Sequence, residues 1–228
     1  MPYFYYDWTM ILVIPGLLLG LYAQFKVKST FDRYSRIRTK SGLTAEQAAR
    51  ALLSRGGSTN VTISRVNGSL TDHYDPSSKT LRLSDTVYGS DSVAAVGVAA
   101  HECGHALQEH DGYGLLKLRT ALVPVVNIGS SLYLPIFMAG LLFSWEPLQM
   151  VGILCFGLTL LFSLVTLPVE INASKRALGM LEGVLDAEEL QGAKAVLSAA
   201  ALTYLASVIS SALQLLRLIL ISRSRNRD

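Results

Sequence analysis

Residues 121–169 read ALVPVVNIGSSLYLPIFMAGLLFSWEPLQMVGILCFGLTLLFSLVTLPV, an apolar stretch that decides the structural class of this protein. Residues 121–145 contain no charged side chain, and neither do residues 147–169. A helix of about 20 apolar residues crosses the hydrocarbon core of a bilayer, and each half exceeds that length. Only Glu146 separates the halves, between a tryptophan and a proline that favour a turn. The stretch therefore predicts a transmembrane helical hairpin.

Two further apolar stretches flank the predicted hairpin in the sequence. Residues 8–25 are uncharged and just long enough to span a bilayer. No Lys or Arg precedes them and no small-residue cleavage site follows, so we predict a retained N-terminal anchor. Residues 195–216 are also uncharged, but they fit either an interfacial helix or a spanning helix with a polar stripe facing a cavity. The polar stripe consists of Thr203, Ser207, Ser210, Gln214 and Arg217.

The composition agrees with a membrane protein that has one modest water-facing portion. Of the 228 residues, 50% are hydrophobic and only 16% are charged, whereas a soluble globular protein has about 25% charged residues. The mean hydropathy is +0.38. A net charge of +3 gives no electrostatic case for nucleic acid as a partner, and two cysteines exclude a disulfide framework.

A cluster of cations follows the first apolar stretch. Because Lys and Arg close to a membrane span favour the cytoplasmic side, we predict an external N-terminus and a cytoplasmic location from residue 26 onward. Both ends of the hairpin then return to the cytoplasm, beside Arg119 and Lys175. The cluster consists of Lys26, Lys28, Arg33, Arg36, Arg38 and Lys40.

Residues 26–120 form the main water-facing portion, and their pattern predicts a mixed α and β structure. Thr44 to Gln47 have the spacing of a capping box and predict the start of a helix. Alternating β-branched residues at 61–66 predict a strand. Apolar residues on both sides of Asp75–Ser78 predict a short hairpin, because the four residues between them favour a turn.

His101-Glu102-Cys103-Gly104-His105 is an H-E-x-x-H motif inside a predicted helix from about Ser92 to Glu109, capped by Ser90 or Asp91. Residues four apart share one face of a helix, so both imidazoles can reach one ion. Zinc binds neutral imidazole nitrogens at about 2.0–2.1 Å. The glutamate between them is placed to take a proton from a zinc-activated water.

The motif supplies two ligands, whereas a catalytic zinc site usually has three protein ligands and a water. A metzincin would continue with x-x-G-x-x-H after His105, and Gln108 and Asp111 at these positions exclude that class. Glu170 follows the predicted hairpin, whose two ends can bring it close to the motif. The residues alone also allow the alternative that Glu170 only pairs with a nearby cation at the membrane surface.

Three segments resemble the YugP-like family of membrane zinc metallopeptidases. They are VAAHECGHALQ at 98–108, DHYDP at 72–76 with LRLS at 81–84, and PVEINASKRAL at 168–178. The likeness covers most of the chain in order. The family is similar in layout to HtpX-like proteases, in which the H-E-x-x-H helix precedes a membrane hairpin and a glutamate ligand follows it. The resemblance implies one zinc ion per chain, with Glu102 as the general base and with the ligands His101, His105 and Glu170.

Four further residues are candidates for supporting roles. HtpX-like proteases usually carry Asp four residues after the ligand glutamate, but this chain has Ser174 there, so Ser174 or Asn172 would orient a ligand. His73 and Tyr74 are candidates for stabilising an oxyanion or for contacting the substrate, because metallopeptidases use such side chains beside zinc. The alternative is that the two residues only pack at the end of the hairpin.

The expected fold is a mainly α membrane protein, in which a zincin-like α+β cytoplasmic portion joins a transmembrane helical bundle. The cytoplasmic portion combines the H-E-x-x-H helix with a small β-sheet. The expected divisions are an N-terminal anchor at 1–25, the metalloprotease portion at 26–120, a transmembrane hairpin at 121–169, a helix carrying the third ligand at 170–194, and an amphipathic or membrane helix with a basic tail at 195–228.

The expected function is a membrane-embedded zinc metalloendopeptidase of the gluzincin type in a bacterial cell membrane. It would hydrolyse peptide bonds of membrane or membrane-proximal proteins. Its partners would be a protein or peptide substrate, the lipid bilayer, and a membrane-protein partner or a second copy of the chain. The alternative is a zinc-binding membrane scaffold or adaptor without turnover.

Overall fold

The computed structural model describes residues Trp8–Arg225, which form six α-helices and a three-stranded sheet. A 3-10 turn at Trp8–Leu12 leads directly into α1. The helices are α1 (Val13–Tyr34), α2 (Ala45–Arg55), α3 (Val93–His110), α4 (Gly114–Leu142), α5 (Glu146–Leu181) and α6 (Ala187–Arg225). The strands are β1 (Thr62–Val66), β2 (His73–Asp75) and β3 (Thr80–Ser84).

Four helical stretches of the described residues are long and apolar enough to cross a membrane. They contain the predicted anchor, both arms of the predicted hairpin and the last apolar stretch. The prediction of a mainly helical protein with membrane-spanning capacity and a small sheet is therefore confirmed. The stretches are Trp8–Tyr34, Gly114–Leu142, Glu146–Leu181 and Ala187–Ser224.

The turn between α4 and α5 lies two residues earlier in the chain than the tryptophan, Glu146 and proline that the sequence indicates. It occupies residues 143–145, and Glu146 is the first residue of α5. A carboxylate in the first turn of a helix interacts favourably with the helix dipole, which explains why Glu146 joins the helix. Ser144 adopts a φ of 49°, the left-handed conformation that a tight reversal requires.

Helix α5 continues without interruption past Pro168, so the expected division between 169 and 170 falls inside a helix. A proline removes one backbone donor, and helices that cross membranes tolerate this loss when neighbouring groups satisfy the freed carbonyl. Glu170 therefore lies within a long helix, and the phase of that helix sets the direction of its side chain.

The chain divides into two compact units. The first consists of the residues up to 22, residues 118–167 and the residues from 203 onward. The second consists of residues 23–117 and 168–202. Each unit therefore combines segments that are distant in the sequence.

In the first unit, the helices approach closely at small and polar side chains. A Cβ on Gly16 of α1 would lie 2.8 Å from Ser210 Oγ of α6. The fully buried Gln149 of α5 donates to the carbonyl oxygen of Gly140 (3.1 Å) and accepts from Ser222 Oγ of α6 (2.7 Å). Ser210 and Ser222 of α6 thus contact neighbouring helices, and α6 is long and apolar enough to cross a membrane.

In the second unit, α3 packs against a sheet with the strand order β1-β3-β2, and α2 packs on α3. Strand β1 is parallel to β3, and β2 is antiparallel to β3 as the predicted hairpin requires. Leu52 of α2, Leu81 and Leu83 of β3 and Val93 of α3 are almost fully buried in one core. Small residues of α3 complete this core and permit close approach: Ala94, Ala95, Ala99 and Ala100.

Polar side chains cap the N-termini of α2 and α3. Thr44 accepts from the backbone N–H of Gln47 and the Gln47 side chain accepts from Thr44 N, so the predicted capping box is confirmed. The cap of α3 is Ser92, which accepts from Ala95 N (3.2 Å). The expectation of Ser90 or Asp91 was wrong by one or two residues, because the hydroxyl that reaches the third helical N–H belongs to Ser92.

Candidate metal centre

Helix α3 presents the two motif histidines on one face. The rings of His101 and His105 lie 4.8 Å apart between centroids and are almost perpendicular, at 86°. Both side chains are largely buried, with 13% and 10% of their surface exposed. The helical spacing that the sequence indicates is therefore present, and both rings face the same neighbour.

That neighbour is Glu170 of α5. Its Oε2 atom lies 3.2 Å from His101 Nε2 and 3.5 Å from His105 Nε2. Glu170 is 2% exposed, and one ligand atom from each of the three residues falls within 4.8 Å of the others. The structure thus brings together the three residues predicted as ligands, although 65 positions separate His105 from Glu170 in the sequence.

The donor set fits a zinc ion. Two imidazole nitrogens and one carboxylate oxygen are the ligands of one class of catalytic zinc site. Tetrahedral ligands at about 2.0–2.1 Å from zinc lie roughly 3.3 Å from one another, and the two distances from Glu170 to the histidines bracket this value. Burial also fits, because three converging polar groups without an ion would be costly to remove from water.

The close approach of α3 and α5 depends on Gly104, the fourth residue of the motif. A Cβ at this position would lie 2.4 Å from the carbonyl oxygen of Ala173, a backbone atom that cannot move independently of α5. Gly104 therefore lets the helix with His101 and His105 approach the helix with Glu170.

We expect Gly104→Ala to lower the free energy of unfolding by about 1–3 kcal/mol, because the extra methyl group overpacks the contact. It should also weaken zinc binding, because it separates the two helices. Gly179→Ala is the matched control: it lies on the same α5, nothing lies within 4 Å of its added Cβ, and alanine favours a helix by about 1 kcal/mol over glycine. Thermal unfolding with and without zinc measures both effects, and equal behaviour of the two variants would contradict the packing argument.

Three polar side chains support the ligands. Ser174 Oγ lies 3.2 Å from His101 Nδ1, so this candidate contacts a predicted ligand. Asn172 Oδ1 accepts from Gln108 Nε2 at 2.9 Å rather than contacting a histidine directly. Gln108 contacts His105, with Oε1 3.0 Å from Nδ1. This contact of Gln108 was not predicted, although the position of Gln108 three residues after His105 places it on the same helical face.

Glu102 and Cys103 lie between the histidines and are both buried. Burial lowers the pKa of His105, but hydrogen bonding to Glu170 and the charge of Glu102 raise it more, so the net pKa is raised. The charge of Glu102 therefore acts on His105, one of the predicted ligands. Cys103 is fully buried, which raises the pKa of its thiol, and its Sγ faces Ala49 O at 3.7 Å. The thiol is a small core group rather than a reactive one.

The structure does not place His73 or Tyr74 in the group of three ligands. His73 is exposed on the edge strand β2, with Nδ1 2.9 Å from Thr71 O and Nε2 3.4 Å from an Arg82 nitrogen. Tyr74 donates to Glu109, one helical turn after His105. This contact and burial raise the pKa of the Tyr74 hydroxyl. Both residues keep their supporting roles only as predictions.

Comparisons with known proteins identify the family of the chain. Residues 9–223 match the family described as "Putative neutral zinc metallopeptidase". The chain is 44% identical over 214 residues to "Putative membrane protease YugP" of Bacillus subtilis (strain 168), which covers 93% of this chain and 95% of the relative. No solved structure matches the chain. The resemblance stated from the sequence is confirmed, and the chain belongs to the family of neutral zinc metallopeptidases.

Proposed function

We propose that this protein is a membrane-embedded zinc metalloendopeptidase of the gluzincin type. In this proposal His101, His105 and Glu170 hold the zinc ion, and Glu102 is the general base. The single observation that carries the proposal is the convergence of three ligand atoms within 4.8 Å, from the buried His105 and Glu170 and the partly buried His101. Family membership supports the zinc and the peptidase activity.

The chemistry follows from the residues at this site. Zinc, when bound, supplies a Lewis acid that polarises a peptide carbonyl and lowers the pKa of a water. Glu102 accepts the proton of the attacking water and then delivers it to the leaving amine. The burial of Glu102, His105 and Glu170 limits the access of bulk water, which strengthens these electrostatic interactions. A purely structural zinc site would usually have four protein ligands and no adjacent base.

We further propose that the zinc site faces the cytoplasm and acts on membrane proteins or on proteins near the membrane. Support for this orientation comes from the cation cluster that follows the first span, beginning at Lys26. Substrates would therefore be cytoplasmic loops of membrane proteins, or segments that lie against the bilayer. The position of α3 beside the sheet supports the binding of an extended peptide, because such a peptide can pair with an edge strand.

Zinc removal tests the peptidase proposal. We expect the full-length protein in detergent to cleave an unfolded protein substrate, to lose cleavage when a chelator removes zinc, and to regain it when one equivalent of zinc is added. Mass spectrometry of the products identifies the cleaved bonds. Zinc binding without cleavage of any membrane or unfolded substrate would favour the alternative, a zinc-binding scaffold without turnover. A wild-type chain that binds no zinc would contradict both.

A further inference from the structure

We propose that Gln108 is a positioning residue that selects the tautomer of His105, so that Nδ1 carries the proton and Nε2 is available to zinc. This inference rests on the proposed function and extends it to a residue outside the H-E-x-x-H motif. Gln108 is fully buried, and its side-chain oxygen lies 3.0 Å from His105 Nδ1.

The orientation of the Gln108 amide follows from its other two contacts. Its Nε2 donates to Val169 O at 2.8 Å and to Asn172 Oδ1 at 2.9 Å. A backbone carbonyl can only accept, so the NH2 group must face Val169 and the oxygen must face His105. An amide oxygen can only accept as well, and His105 Nδ1 must therefore be the donor.

A chain of contacts holds Asn172 in the orientation that this arrangement needs. Arg176 Nε donates to Asn172 Oδ1 at 2.9 Å, and Arg176 Nη1 pairs with Asp111 at 2.5 Å. Two donors converge on one oxygen of Asn172, so its amide cannot flip without losing both. The chain runs from a partly exposed ion pair to a fully buried amide.

A comparison with His101 shows what the amide of Gln108 does for the tautomer of His105. His101 Nδ1 faces the hydroxyl of Ser174 at 3.2 Å. A hydroxyl can donate or accept, so Ser174 permits either tautomer of His101. Gln108 permits only one tautomer of His105. Partners that fix the tautomer of a zinc-binding histidine contribute about 10- to 100-fold to metal affinity.

Two variants separate this role from simple packing. Gln108→Leu removes all three contacts of the side chain. Gln108→Glu removes both donated bonds, to Val169 O and to Asn172 Oδ1, but keeps an oxygen that accepts from His105 Nδ1. We expect zinc affinity, measured by competition with a chromophoric chelator on the full-length protein, to fall about 10- to 100-fold in Gln108→Leu and to stay within about threefold of wild type in Gln108→Glu. The midpoint temperature of thermal unfolding without zinc should be lower than that of the wild type in both variants.

Equal zinc affinity in the two variants, whether unchanged or equally weakened, would overturn the role of Gln108 while leaving the zinc site intact. Failure of the wild type to bind zinc would instead overturn the proposed function itself. If Gln108→Leu does not fold, ¹⁵N NMR of zinc-loaded wild type with labelled histidine decides the matter, with His105→Gln to assign the signal. Zinc on Nε2 with a protonated Nδ1 supports the proposal, and zinc on Nδ1 overturns it.

Discussion

Replacing Glu102 with glutamine is expected to lower the rate of peptide hydrolysis by about 10²- to 10⁴-fold, the usual contribution of a general base. The amide has nearly the same shape as the carboxylate but cannot take a proton from water. Zinc content should stay at the wild-type level, because Glu102 is not one of the three converging ligands. The measurement is the initial cleavage rate at equal zinc occupancy.

Glu182→Gln is the control for this experiment, because Glu182 is an exposed carboxylate just after α5 and outside the ligand group. It should cleave at the wild-type rate. A Glu102→Gln protein that keeps zinc and full activity would exclude Glu102 as the base. Loss of zinc together with activity would show instead that Glu102 maintains the metal centre.

Replacing Glu170 with alanine is expected to weaken zinc binding by more than about 100-fold, which exceeds the effect of losing an orienting partner alone. Glu170 supplies the only carboxylate of the ligand group among the described residues, and its oxygen contacts both histidines. Its removal leaves two neutral ligands and an open space in a buried site. Zinc per chain after purification and affinity by chelator competition measure the loss.

Glu182→Ala tests whether any loss is specific to the ligand position, and it should retain one zinc per chain. Full zinc retention by Glu170→Ala would preserve a metal site on α3 but show that Glu170 only pairs with the histidines, the alternative that the residues alone allow. A folded Glu170→Ala protein without zinc would establish the three-ligand centre.

Much of the fold could be predicted because it follows from local patterns. Uncharged stretches of spanning length identify the membrane helices, and the Thr44 capping box and the Asp75–Ser78 turn mark elements that the structure contains. Boundaries were less predictable: α5 passes through Pro168, and Ser92 rather than its neighbours caps α3. Helix ends depend on which nearby group satisfies the terminal backbone atoms, and spacing alone does not specify that.

Part of the site could also be predicted locally. The H-E-x-x-H spacing places His101 and His105 on one helical face wherever α3 packs, because four residues advance only slightly more than one turn. Glu170 needed the resemblance to a known family, because its distance from His105 depends on how α5 packs against α3. The close contact at Gly104 shows how strongly that packing controls the site.

The sequence by itself determined the helices of membrane-spanning length, the helix with the two histidines and the glutamate between them, because each depends on composition or on a spacing of a few residues. Only the tertiary structure decided that a carboxylate 65 positions away lies beside both histidines and that an amide contacts His105 Nδ1. The carboxylate oxygen of Glu170 and the amide of Gln108 reach the histidines through packing of α3 on α5. A buried polar group needs a hydrogen-bond partner within the protein. The packing of the helices determines which partner it has, and the spacing of residues along the sequence does not.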